Sequence, residues 1–286
     1  MSATDSSSTR SPLKGYSVWA FDPVTLRLAA AALPREISFP QALHGTLPPV
    51  LSHLAHMDVS PEKVLVSIDT GHLSWPESLH PEATEFIGYQ GEEHYGVQLD
   101  EVEVAFIDGR PLTCLPMRTA AGDPLNLWVH ELAEEPGEQL DGFELVTTAR
   151  GLMEGWCSLS LNESMVVIPA LQMSYHAEIH GLGVPTQQRF VIALDESGAR
   201  VITEVLMCTG VPDFEAQPEP VVFGVCGPLM MWFSEKGADL PFTVQVSSGA
   251  AWLEPGQEVD LHGLDTPPCQ DISPWMGPEI SGQRSH

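Results

Sequence analysis

Basic residues are scarce in this 286-residue chain. Three Lys and nine Arg stand against 39 Asp and Glu, for a net charge of -27. None of the twelve lies between Lys63 and Arg110, while Asp69, Glu77, Glu82, Glu85, Glu92, Glu93, Asp100, Glu101, Glu103 and Asp108 accumulate there. Such a one-signed run argues against a nucleic-acid backbone or an anionic membrane as partner and favours a basic protein or a cation. Charged residues make up only 18% of the chain, below the usual quarter or so. The imbalance therefore reflects missing cations more than surplus acids. Folding such a chain carries self-repulsion that a bound cation or a basic partner would relieve.

Other absences narrow the class further. No run of eighteen apolar residues occurs, so no membrane-spanning helix is expected. The opening MSATDSSSTRSPLKG has no apolar core, so no secretory signal is expected. Five cysteines (114, 157, 208, 226 and 269) lie far apart with no C-x-x-C pair, which excludes a zinc knuckle or thioredoxin-like motif. An odd, scattered set predicts reduced thiols and a cytoplasmic location. No repeat of fixed period is present. Against these gaps, 43% hydrophobic content and a mean hydropathy near zero suffice for a buried core.

The pattern along the chain predicts an α+β fold, with a mixed α/β N-terminal third followed by a predominantly antiparallel β remainder. Residues 1–14 are expected to be a disordered tail, 15–90 an α/β segment, 91–264 a β-rich segment packed with it, and 265–286 a Pro-rich tail. Residues 16–21 form a strand, and 25–29 suit either a strand or a short helix. Pro48 and Pro49 suit a helix start, with Val50, Leu51, Leu54 and Met57 on one face. Val64–Ile68 is a continuous apolar run of the kind found in buried strands. A helix is expected over 76–88. Asp108-Gly109 predicts a hairpin between 102–106 and 112–115, and Asp195–Gly198 another between 190–194 and 201–206. An acidic loop over 131–141 leads to a strand at 143–146. Late strands are placed at 221–225, 242–246 and 259–261, and Pro212–Pro220 is the best internal linker.

Four groups of residues point to chemistry. On a strand, His176, Glu178 and His180 share one face about 7 Å apart, a donor set that suits zinc or non-haem iron. Met173, Tyr175, Ala177 and Ile179 alternate with them as an apolar face, the pattern of any half-exposed strand. His53, His56 and Asp58 would be neighbours on a helix. Asp22 and Asp69 each follow an apolar strand, where α/β sheets place functional carboxylates; the stretch from Trp19 to Asp69 resembles the opening of ribonuclease H-like nucleases. That resemblance implies a magnesium-binding pair, but it covers under a fifth of the chain, and the later acidic helix it requires has no counterpart. Val64 to Trp75, through Asp69-Thr70-Gly71, locally resembles the aspartic peptidases. Their chemistry needs a second carboxylate on the same proton, and no second Asp-Thr-Gly or Asp-Ser-Gly occurs. Cys226, between glycines, has few cations to activate it.

Two functions follow from these observations. The first is an acidic protein-binding module of inhibitor or immunity type for a basic partner. Its surface would be 77–108 and 131–144, with Trp75 and Trp128 as anchoring aromatics. The second is a metal-dependent, hydrolase-like enzyme on His176, Glu178 and His180, with Glu178 as ligand or base.

Overall fold

The structure is a computed structural model that describes residues 19–33, 37–60, 63–133, 142–179, 182, 186–206, 221–259, 261 and 264. Strand β1 (Trp19–Phe21) leads into helix α1 (Pro23–Ala31), then α2 (Pro49–Leu54), β2 (Ala55–Val59), β3 (Val64–Asp69), β4 (Glu82–Ile87) and β5 (Glu93–Ile107). The chain continues through β6 (Arg110–Arg118), β7 (Pro124–Glu131), α3 (Gly142–Gly155), β8 (Asn162–Pro169), β9 (Leu171–Glu178) and β10 (Gln187–Asp195). It closes with β11 (Gly198–Leu206), β12 (Val221–Val222), β13 (Leu229–Ser234) and β14 (Phe242–Ser247).

The strands form two sheets. The larger runs β1-β14-β13-β7-β6-β5-β8-β12, with β4 also on β5, and the smaller runs β2-β3-β11-β10-β9. Every pairing is antiparallel except β12 on β8. The expected α+β class with a largely antiparallel β remainder is what the chain adopts. One apolar cluster draws Leu99, Leu115, Leu127 and Ile168 from the larger sheet and Ile68, Phe190, Ile192 and Val201 from the smaller, so the sheets share a core. A second joins Leu26 and Ala29 of α1 and Leu145, Val146 and Ala149 of α3 to Trp128, Trp232 and Val244 of the larger sheet.

Local chemistry explains the elements that match expectation. Asp108 and Gly109 both take positive φ (51° and 83°) and join β5 to β6 with Ile107 opposite Arg110, as a two-residue hairpin turn requires. Asp22 settles the ambiguity at 25–29 in favour of helix. Its carboxylate caps α1, accepting from the Val24 and Thr25 N–H groups.

Three expectations are overturned. The helix begun at Pro48-Pro49 stops at Leu54, because Ala55–Val59 pairs residue for residue with Ile68–Val64. Met57 therefore lies on a strand. Residues 76–88 hold one 3-10 turn, Glu77–Leu79, and then β4, since Thr84, Phe86 and Ile87 favour strand and 82–87 pairs along β5. Residues 143–146 are helical, within α3, where Leu145, Val146 and Ala149 recur at helical spacing and bury together. Of the late strands, Val221–Val222 and Phe242–Ser247 form, whereas Val259 is not in a strand.

Candidate functional site

The acidic run becomes a surface through the pairing of β4, β5 and β8. Across β4 and β5, Glu85 stands opposite Tyr95 and Ile87 opposite Glu93, so these four side chains share a face. Glu85, Glu92 and Glu93 are exposed, and Ile87 keeps 52% of its surface in water among them. The Tyr95 phenol donates to the Glu196 carboxylate, carried in by the β10–β11 turn. Burial pushes this phenol well above its usual range; the Glu196 hydrogen bond and the charges of Glu196, Asp195 and Glu258 push the same way. The β10–β11 turn and Glu258 thus bring negative potential to Tyr95.

A second acidic group lies farther along β5, on the face opposite Glu93, Tyr95, Val97 and Leu99. A bulge between Leu99 and Val102 puts Glu101 outside at φ 52°. Just past it, Glu103 lies directly opposite Glu163 of β8, and both are exposed. Like charges in register destabilise a strand pair. No ion pair reaches Glu82, Glu85, Glu93, Asp100, Glu101, Glu103, Asp108 or Glu163 among the described residues. Phe106 of β5 and Met165 of β8 add exposed apolar area on the same strands, and Leu161 just before β8 is exposed as well. The acidic side chains thus form two groups, Glu85 and Glu93 beside Ile87 on one face and Glu103 and Glu163 beside Met165 on the other, each competent to meet a cationic surface.

The cysteines near this field are poorly suited to attack. Burial, aided by the Glu103 charge, raises the Cys114 thiol to about 12. Cys226 is also raised, by burial and by Glu131, although Arg110 opposes. Its exposed position between glycines thus comes without activation.

The other candidate groups separate. Asp22 is fully buried; its carboxylate also accepts from the hydroxyls of Thr25 and Thr203 at 2.6 and 2.9 Å. Burial raises this acid despite those bonds. Asp69 is gripped by Arg200, Nε to Oδ1 at 3.1 Å and Nη2 to Oδ2 at 2.8 Å, while the Gly71 N–H donates to Oδ1. Burial pushes Asp69 up, but Arg200 and the Gly71 bond outweigh it and hold the acid below its usual range. Thr203 pairs with Ile68 and Ile202 with Asp69, so alternation places the Thr203-bound Asp22 and the Asp69 side chain on opposite faces of the smaller sheet. The two carboxylates cannot share a magnesium ion, and Asp69-Thr70-Gly71 is a turn closed by its own Asp.

His53 lies in α2 while His56 and Asp58 lie on β2, so the expected helical triad does not form. Of the predicted metal set, His176 and Glu178 stand two apart on β9, as expected of a strand. Their side chains, and His180 altogether, lie outside the described residues. Among the described residues no three His, Cys, Asp or Glu gather to hold a metal.

Both expected anchor tryptophans are interior. Trp75 is 7% exposed and donates from Nε1 to the Asp195 carbonyl at 3.0 Å. Trp128 stacks on Trp232 at 5.7 Å and donates to Ser234 Oγ. Glu131, at the head of the second acidic segment, is buried, and 134–141 lie outside the described residues. Sequence reasoning missed Ile87 because it placed 76–88 in a helix; the strand preference of Thr84, Phe86 and Ile87 was the signal available.

No family model and no curated protein matches this chain. Among solved structures, a cleaved Serpin 42Da is similar at TM-score 0.45 and 12% identity, over 69% of this chain and 57% of that one. A loop-inserted, cleaved ovalbumin mutant is similar at TM-score 0.40 and 11% identity, over 66% and 57%. The latent thermophilic serpin tengpin is similar at 0.39 and 10%, over 69% and 59%. The chain therefore spans under two thirds of the length of these structures. Likeness of this degree does not extend to activity or partner.

Proposed function

We propose that this chain is a protein-binding module, of inhibitor or immunity type, whose docking surface is the outward face of β5 and β8 around Glu103 and Glu163 and whose partner is a basic protein. The observation that carries the reading is Glu103 of β5 held directly opposite Glu163 of β8, both exposed, with Met165 on the same face and Glu101 exposed at the bulge, and with no ion pair to these carboxylates among the described residues. A negative face steers a cationic partner and repels phosphate backbones and anionic lipid. The apolar side chains supply contact area that charge alone lacks. No helix among the described residues is long and apolar enough to cross a membrane. Cys114 and Cys157 are free thiols, which supports a partner met in a reducing compartment such as the cytoplasm.

Affinity capture from a lysate with the full chain tests the reading, with a variant carrying Gln at Glu101, Glu103 and Glu163 run in parallel. A basic protein retained by the wild type, released as salt rises and lost in the variant is the expected result. An identical captured set from both chains would sink it.

As a second reading we propose the metal-dependent enzyme on His176, Glu178 and His180, supported by the strand geometry of β9 through Glu178. Elemental analysis decides it: stoichiometric zinc or iron that disappears in a His176→Ala/His180→Ala chain is the expected outcome, and a metal-free wild type after reconstitution removes it.

A further inference from the structure

Strand β2 is one edge of the smaller sheet, and the geometry points to a use for it. We propose that two copies of this chain pair their β2 strands antiparallel, with Met57 opposite the partner's Met57, to make one continuous sheet. The inference stands apart from the acidic face, which lies on the other sheet.

The hydrogen-bond parity of the β2–β3 ladder comes first. Ser60 N donates to the Lys63 carbonyl at 2.9 Å, and the register runs on through Asp58 opposite Leu65 and His56 opposite Ser67. In an antiparallel ladder the bonded pairs alternate. His56 and Asp58 therefore turn their peptide groups toward β3, while Met57 and Val59 turn theirs outward. Among the described residues no strand pairs with that outer edge. Met57 and Val59 on this strand and Leu54 just before it are three of the seven exposed large apolar side chains among the described residues.

The strand is self-complementary in one register. With Met57 facing the partner's Met57, the Met57 N–H donates to the partner's Met57 carbonyl and the Val59 N–H to the partner's Ala55 carbonyl. Both bonds are repeated by symmetry. The pairs between them are the closely spaced ones, and they bring His56 opposite the partner's Asp58 and Asp58 opposite the partner's His56. On the other face Ala55 meets the partner's Val59 and Met57 its own counterpart. Shifting by two residues either way runs the pairing into helix α2 or into Pro61, which has no N–H to donate. Among the described residues, the cation that competes for Asp58 is Lys63, at 3.8 Å and half exposed. The occupant is thus a second copy, because the edge carries an acid and a base spaced to meet each other across a two-fold axis. An edge five residues long makes a small interface, so the dimer is reversible rather than obligate.

Sedimentation of the full chain across a concentration series tests this, with amide exchange as the second readout. A monomer–dimer equilibrium is expected, with the Met57 and Val59 amides fast on dilution and slow when concentrated. Met57→Pro deletes an outward N–H that β3 does not use; it should weaken dimerisation by about tenfold or more, the worth of one lost pair of edge bonds. His56→Asp should weaken it by setting two carboxylates opposite, and His56→Asp/Asp58→His should restore it. The neutralised acidic-face chain should dimerise at least as well as the wild type. A monomer at every concentration overturns the proposal, as does a dimer indifferent to both a folded Met57→Pro and the swap series. Protection of the Met57 and Val59 amides at every dilution also overturns it, because the chain's own residues would then cover the edge. If Met57→Pro loses its circular dichroism signature, the swap series and exchange decide.

Discussion

His130 shows how one buried side chain couples this fold to pH. It lies on β7 with Nδ1 at 3.1 Å from the Pro111 carbonyl. Burial is the main cause that lowers its imidazole to about 4; the Pro111 carbonyl pulls it up and the Arg110 charge pushes it down. The native ring stays neutral in a range where the unfolded chain takes up a proton. Stability from this group is therefore complete above about pH 6.5 and is lost as pH falls toward the folded value. Between pH 6.5 and 5 the loss is about 2 kcal/mol. Asp22 and Glu235, whose acids burial raises, act with the opposite sign, so a difference measurement is needed. Denaturant melts at pH 7 and pH 5 should show a smaller pH loss in His130→Gln than in wild type; equal losses would mean the ring is protonated in the native state.

At the scale of elements, the β5–β8 ladder carries a conflict between stability and docking. Glu103 faces Glu163 in register, an arrangement that costs about 0.5 kcal/mol relative to a neutral pair. Glu163→Lys should raise stability by a similar amount in urea melts while weakening capture of a basic partner. If both properties rise together, the face is not the docking surface. The same scale explains what the sequence showed and what it hid. Asp108-Gly109 and Asp195–Gly198 were legible because turn chemistry is local. The end of α2 was not, because the apolar period of 47–57 continues smoothly through Met57, and only pairing with β3 converts Ala55–Val59 to strand. Two arginines show the same dependence on distant partners. Arg27 of α1 donates to the carbonyls of Leu43 and Gly45, and Arg150 of α3 to those of Ala42 and His44. Helices far apart in sequence thus hold one loop, which no local pattern announces.

For the whole molecule, the excess of acids sets the response to salt. Close carboxylates on β4, β5, β8 and the β10–β11 turn repel one another in the folded chain more than in an extended one. Ionic strength screens exposed charges beyond about 10 Å at 0.1 M. Raising sodium chloride from low to physiological strength should therefore raise the midpoint of thermal unfolding, measured by circular dichroism, while it weakens binding of the proposed basic partner. A midpoint that falls with salt would show that the described ion pairs, such as Arg200–Asp69, outweigh the repulsion.

Composition and order along the chain were enough to determine the sign of the electrostatic field, the presence of a core, the α+β class and the two hairpins. Each depends on residue counts or on neighbours within a few positions. Which carboxylates share a face was decided only in the tertiary structure. Asp22 and Asp69 look alike in sequence, each following an apolar strand, yet strand alternation sends them to opposite sides of a sheet. Glu103 and Glu163, sixty residues apart, are brought into direct register by the β5–β8 pairing. Trp75 and Trp128 were equally undecidable, since a tryptophan's place inside or outside depends on whether distant groups meet its N–H, as Asp195 and Ser234 do here. Pairing partners are non-local, and a period of two states that a strand has faces without stating which one meets water.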